Sequence, residues 1–444
     1  MNHPTEPRHP TFLEALLVWV KIGLFSFGGP TGQIGLMHRE LVEKRRWVSD
    51  GRFLHALNYC MILPGPEAQQ LAIYIGWLLH RVWGGIAAGI LFVVPGALLM
   101  WLISLVYVRY GEVPLIAAVF YGLKPAVMAI VAAAVLRIGT KALKNPVMWS
   151  LSAIAFVAIF FFAVPFPLII LSAGLIGLLG GRLYPATFDI TSGHGEKNAG
   201  GISENYVISD TVSEIVGRPT VARALGSVLI WATIWLAPLL ACWMIFGIGH
   251  ILTQEGIFFS KAALVTFGGA YAVLPYVAQE AVQTHQWLSA TQMMDGLGLA
   301  ETTPGPLILV LQFVGFLGAW NDGGTMSPLL AATLGAVITS WVTFVPGFLF
   351  IFAGAPFIES SRSNLRLNTI LSAVTAAVVG VVLNLAVWFA WHVIRPAEGT
   401  YDYLALALGV AFFIALKWFR WDVLLIVGAG AIAGLAAFWL KQPI

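Results

Sequence analysis

Charge is what this chain has least of. Only 10% of its 444 residues are Asp, Glu, Lys or Arg, against roughly 25% in a water-soluble domain. With 59% hydrophobic residues and a mean hydropathy of +0.85, no stretch of it reads as a water-soluble domain. Cysteine is almost missing as well: Cys60 and Cys242 both fall in apolar segments and read as small buried hydrophobes, which excludes a disulfide framework. The net charge of +3 comes from basic residues scattered in loops, so nucleic acid is excluded as a partner. There is no P-loop, no His/Cys spacing for a metal and no Ser-His-Asp arrangement, so neither cofactor nor metal nor enzyme activity is expected. Residues Met1–Pro10 are polar, and no cleavable signal peptide is expected. What remains is an all-α polytopic protein whose chief environment is the lipid bilayer.

Glycine and proline are not scarce, and their placement organises the chain. Phe27-Gly28-Gly29-Pro30 and Pro64-Gly65-Pro66 return as Phe267-Gly268-Gly269 and Pro304-Gly305-Pro306, 240 residues later in both cases. Lys21 and Lys261, Glu40 and Glu280, and Trp47-x-Ser49 and Trp287-x-Ser289 keep the same offset. Val94-Pro95-Gly96 then matches Val345-Pro346-Gly347 at 251, as if residues Trp320–Gly324 were inserted. Two copies of one unit therefore make up the chain. Both copies break apolar segments with residues that a helix interior disfavours by about 1 kcal/mol for Gly and 3 kcal/mol for Pro.

A helical span needs about 20 apolar residues. Unbroken spans are predicted near 83–108, 115–136, 146–163, 167–183, 224–249, 328–357, 367–392, 402–418 and 421–440. The segments around the breakers are too short to cross alone, giving about ten or more membrane segments. The division is an N-terminal repeat at 1–183, a polar cytoplasmic linker at 184–222 and a C-terminal repeat at 223–444. Loop 38–52 carries Arg39, Lys44, Arg45, Arg46 and Arg52, whereas its counterpart 280–290 has no Lys or Arg. Cytoplasmic loops carry the basic excess. Equivalent loops thus face opposite sides, and the repeats are expected to be inverted if residues 53–80 re-enter rather than cross.

Inverted repeats with interrupted helices mark the binding site of secondary transporters. An interrupted helix leaves up to four amide donors and about half a positive charge at its new N-terminus, and glycine lets an anion approach them. The candidate binding residues are Phe27, Gly28, Gly29, Pro30, Pro64, Gly65, Pro66, Phe267, Gly268, Gly269, Pro304, Gly305 and Pro306. The competing explanation is that these glycines only let helices pack closely. Lys21 and Lys261, each six residues before its Phe-Gly-Gly, either face the cavity or snorkel to the surface. Lys124, mid-span with no counterpart, is a further candidate. Glu67 and Glu301 beside the Pro-Gly-Pro turns are candidates for proton coupling, although Glu67 could equally cap a helix. Gln69 and Gln70 in one half, and Thr302 and Thr303 in the other, are the polar neighbours.

The motif Phe27-Gly28-Gly29-Pro30-x-x-Gln33, with Leu63-Pro64-Gly65-Pro66-Glu67-Ala68-Gln69-Gln70, resembles the chromate transporter family. So does Phe267-Gly268-Gly269-x-Tyr271 with Glu301-Thr302-Thr303-Pro304-Gly305-Pro306. The resemblance covers nearly the whole chain in the family's long, two-repeat form and adds Gln33 to the candidates. It implies a secondary transporter that exports chromate across the plasma membrane (the inner membrane of a bacterium), giving chromate resistance, with sulfate as a competitor. A sulfate or other small-anion permease is the alternative, and a membrane-embedded enzyme acting on a lipid phosphate a more distant one. Oligomeric state is left open, a homodimer included.

Overall fold

The computed structural model describes residues 8–184, 188, 206–208, 221–267, 269–358, 365–396 and 400–441. Gly268 and most of the linker 184–222 lie outside them. All the named elements are helical. In the first repeat they are α1 (Phe12–Phe25), α2 (Gly29–His38), α3 (Asp50–Ile62), α4 (Glu67–Tyr110), α5 (Pro114–Ala142), α6 (Pro146–Phe162) and α7 (Phe166–Leu183). Helix α8 (Val221–Phe246) leads into the second repeat: α9 (Ile251–Val265), α10 (Ala270–Ala278), α11 (Ala290–Thr302), α12 (Val310–Asn321), α13 (Pro328–Ile358), α14 (Leu365–Ile394), α15 (Tyr403–Lys417) and α16 (Val423–Lys441). Seven of these helices are long and apolar enough to cross a bilayer.

The repeated sequence features are repeated structure. A π-helical turn follows α2 at Arg39–Lys44 and α10 at Gln279–Thr284. The Trp47 amide then donates to the Leu41 carbonyl, and Trp287 donates to Ala281, both at 2.8 Å. Ser49 and Ser289 cap α3 and α11 through their hydroxyls, which is what the Trp-x-Ser pairs encode. Where the first repeat only kinks α4 at His80 and Arg81, the second ends α12 and turns through Gly324, at φ +62°, before α13 starts. The extra residues Trp320–Gly324 supply the end of α12 and the start of that turn.

Helix α1 has 14 residues, about 21 Å at 1.5 Å per residue, too short for a hydrocarbon core of about 30 Å. It does not continue into α2. Lys21 and Glu40 would stand about 28 Å apart along one straight helix, yet their side chains pair at 3.1 Å. The chain therefore folds back at Ser26–Gly28. Helices α3 and α4 likewise lie side by side across Pro64-Gly65-Pro66, with Tyr59 and Tyr74 in edge contact at 6.1 Å. The segment 53–80 is a re-entrant hairpin.

Equivalent helices α4 and α13 run antiparallel. Gly85 faces Phe352, Gly89 faces Phe348, and Trp101 donates to Thr333 at 3.1 Å, so one number rises as the other falls. Both are long enough to span the bilayer, so the two repeats cross in opposite directions. The repeats are also intertwined. Helices α6 and α7 pack on α14 of the other repeat, while α15 and α16 pack on α5. Small residues make those seams: the backbone of Gly430 and Gly434 lies against Gly122, and Thr369 against Gly177 and Gly181. Following the turns from helix to helix puts Arg45, Arg137, Lys141, Lys144, Lys417 and Arg420 on one face, the basic face. Arg109 and Arg395 stand on the opposite one.

Candidate functional site

The four helix breaks meet at the centre in crossed pairs. The Gly65 amide donates to the Thr266 carbonyl at 2.8 Å, and the Gly305 amide to Ser26 at 3.0 Å. Each bond joins the second break of one repeat to the first break of the other. Gln33 donates to the Gly305 carbonyl at 2.5 Å, Gln70 to Pro64 at 2.7 Å and Gln69 to Phe344 at 3.4 Å. Thr302 and Thr303 donate back into their own helix, to Leu299 and Ala300. The amides of Gly65 and Gly305, expected to meet an anion, are thus bonded within the protein; Gln33 and Gln70 brace the turns beside Pro66, Pro304 and Pro306, while Gln69 ties α4 to α13.

The first break of each repeat differs. Gly28 and Gly29 have φ +83° and +68°, which side chains rarely adopt. A β-carbon built on either would meet no atom within 4 Å. They are not packing glycines: Gly28, the N-cap of α2, has no side-chain cap, and the helix start with Pro30 in its first turn is open. In the second repeat Gly269, at φ +93°, has the Glu67 carboxylate over it, 3.2 and 3.3 Å from the position a β-carbon would take. The protein's own carboxyl group covers that helix start.

A cavity of about 700 Å³ leads from the basic face to these turns. Phe27, Gly28, Thr31 and Tyr271 line its inner end, and Arg137, Thr140, Lys417, Arg420 and Asp422 line the rest with apolar neighbours. Arg137 lies over the Tyr271 ring, 5.9 Å from its centre, and the Tyr271 hydroxyl is bonded to the buried Glu301 carboxylate. An anion entering the cavity meets three cations against one acid, then a tyrosine and an open helix start.

The predicted lysines stand elsewhere. Lys21 is exposed and paired with Glu40. Burial would raise the Glu40 carboxyl, but hydrogen bonds from Lys44, Arg45 and Lys21 outweigh it and bring it down to about 2. The lysine is thus part of a charge cluster that locks the π-turn. Lys261 is exposed at the equivalent place and is not on the cavity wall. Lys124 is within electrostatic reach of buried Asp295, which also accepts from Tyr107 at 2.9 Å. Sequence reasoning missed Arg137, Lys417, Arg420 and Tyr271. Three of them read as loop or helix-end cations, and only the exchange of α15 and α16 onto α5 assembles them. Among the described residues no group of three or more His, Cys, Asp or Glu is placed to hold a metal.

Inverted repeats, broken helices meeting at the centre and a cationic cavity leading to them give this polytopic membrane protein the architecture of a transporter. The chain belongs to the chromate transporter family, whose signature matches residues 13–178 and 253–435, one stretch in each repeat. It is 30% identical to a chromate transport protein of Pseudomonas aeruginosa over 429 residues, 96% of this chain and 91% of that one. It is 26% identical to the chromate transport protein of Cupriavidus metallidurans over 430 residues, 96% and 94% of the two chains. An uncharacterized transporter of Bacillus subtilis, YwrB, is 27% identical over 144 residues, 32% of this chain and 70% of that one. No solved structure matches the chain.

Proposed function

We propose that this protein exports chromate from the cytoplasm across the plasma membrane and so confers chromate resistance. The observation that carries the reading is the cavity lined by Arg137, Lys417 and Arg420 that ends on the uncapped start of α2. Chromate is a tetrahedral dianion. Guanidinium groups and backbone amides are suited to its oxygens. The excess of Lys and Arg assigns the basic face to the cytoplasm, so the cavity collects anions from inside the cell.

The route follows from the groups along it. The three cations draw the dianion in, and Arg137 brings it to Tyr271 and Gly28. There it competes with Glu301 for the Tyr271 hydroxyl and for the field of Arg137. Displacement of the Glu67 carboxylate from Gly269 would open the second helix start to the same ion. Glu67 and Glu301 are thus the groups through which a proton would couple to the anion. Coupling is not required for export: with the inside negative, expelling a dianion gains about 4.6 kcal/mol per 100 mV. Chromate uptake into everted vesicles, or efflux from right-side-out ones, with sulfate as competitor, tests the reading. Saturable, potential-driven efflux supports it, and its absence from correctly folded protein overturns it.

A further inference from the structure

A second cavity, of about 420 Å³, opens on the opposite face. It is the repeat-mate of the first. Ala133, Ala134, Leu136, Arg137 and Thr140 of α5 line the inner cavity. The residues 251 positions later, Asn384, Leu385, Val387, Trp388 and Trp391 of α14, line the outer one. On the other wall Leu416, Lys417 and Arg420 correspond to Ile159, Phe160 and Ala163 at an offset of 257. The helix ends fix that offset independently. Asn145 and Asp402 cap α6 and α15 through their side chains, and Ala163 and Arg420 both turn the chain at positive φ, +49° and +55°.

Every cation of the inner cavity has an uncharged mate. Arg137 corresponds to Trp388, Lys417 to Phe160 and Arg420 to Ala163. The polar groups on the outer wall are the amides of Asn384, Gln279 and Gln283. Arg395 stacks on Trp391, 5.4 Å from the ring centre, without lining the cavity. The outer cavity also stops at Pro275 on α10, whereas the inner one touches Gly28 and Tyr271 at the breaks. The structure is therefore the state open to the basic face.

We propose that the outer cavity is the release vestibule for the transported oxyanion, and that the loss of its cations makes oxyanion affinity lower on that face. The inference rests on the reading of this chain as an oxyanion transporter. Two-fold related cavities serve the same ion in turn when the repeats exchange conformations. A dianion held by guanidinium groups inside finds only neutral amide donors and aromatic faces outside, so it leaves. The asymmetry cannot drive net movement by itself, because without a potential the ratio of maximal rate to half-saturation must match on the two faces. It sets where the protein is saturated: at low concentration inside, at high concentration outside.

The test is chromate flux in proteoliposomes of defined orientation at zero potential, with the half-saturating concentration measured from each face. For the unmodified protein the outer value is expected at least tenfold above the inner one. The double variant Phe160→Lys with Ala163→Arg, which gives the outer wall the inner wall's cations, should shrink that ratio at least fivefold. Lys417→Phe with Arg420→Ala should shrink it from the other side, by raising the inner value. Monodisperse gel-filtration profiles establish that each variant is folded. Equal values on the two faces, or a ratio indifferent to Phe160→Lys with Ala163→Arg in folded protein that still transports, overturns the proposal. The latter result would leave the outer cavity to lipid. Absence of saturable chromate flux in the unmodified protein would instead overturn the transport reading itself.

Discussion

The Gly65 amide and the Thr266 carbonyl, 2.8 Å apart, belong to different repeats, and their repeat-mates Gly305 and Ser26 are bonded in the same way. Each repeat thus closes the other's helix break. The Pro-Gly-Pro glycines are structural by this geometry. Gly305 has φ +89°, and a β-carbon there would stand 3.3 Å from the Leu309 side chain and 3.5 Å from Gly96. Gly305→Ala should destabilise the folded protein by about 1 to 3 kcal/mol, from left-handed strain plus crowding. Lower membrane abundance and a lower melting temperature in detergent are the expected results. A variant as stable as the parent would show that this turn is neither strained nor crowded, against the φ and contacts given for Gly305.

The cavity cations should act on transport and not on folding. Arg137→Gln keeps a polar side chain over Tyr271 and removes the charge. Chromate flux at subsaturating concentration should fall at least tenfold, about 1.4 kcal/mol of barrier, with melting temperature little changed. Arg420→Gln, nearer the cavity mouth, should fall less and lose its effect at high salt, where steering is screened. Equal flux in both variants and the parent would show that the cavity is not the route.

Lys21→Gln should transport normally, because its partner is Glu40 and not the substrate. The stability that Glu40 contributes depends on pH with a definite sign. Its carboxyl titrates near 2 in the folded protein, below its ordinary value, so its contribution is complete above that value and fades as pH falls toward 2. The contribution should be about 1 to 3 kcal/mol, since Lys21, Lys44 and Arg45 remain partly exposed and solvent screens them. Measured against pH in a detergent that tolerates acid, the melting temperatures of the parent and Glu40→Gln should differ at pH 6 and converge only as pH falls to about 2. A constant difference would mean that Glu40 acts by shape alone.

Topology gives a separate check. In a background with Cys60→Ala and Cys242→Ala, single cysteines at Glu43 and Thr284, both exposed, should react with an impermeant thiol reagent from opposite sides, Glu43 from the basic face. Reaction from one side would contradict the inverted arrangement.

Much of this was legible in the sequence because it is written twice. The breaks, the Trp-x-Ser caps and the insertion at Trp320–Gly324 each declare themselves by a constant offset, and the inversion follows from the uneven charge of loops 38–52 and 280–290. What was hidden depends on how the copies interlock. Lys21 and Glu40 recur at the same offset, yet nothing local says that the chain folds back at Gly28 and pairs them. Gly28 and Gly305 read alike as glycines beside proline. Only the structure distinguishes the open φ +83° position from the one packed against Gly96. Arg137 and Arg420 are 283 residues apart and meet only because α15 and α16 pack on the other repeat's α5.

The most direct test of the central claim is chromate flux through Gly28→Val. Nothing lies within 4 Å of the added β-carbon, so the cost to folding is the left-handed backbone alone, about 1 to 2 kcal/mol. The side chain would stand at the uncapped start of α2, where the oxyanion is proposed to meet backbone amides. In proteoliposomes with the basic-face compartment negative, the parent should show saturable chromate efflux from that compartment. Folded Gly28→Val should show at least tenfold less. Full-rate efflux through the valine variant would contradict the assignment of the site to the α2 helix start.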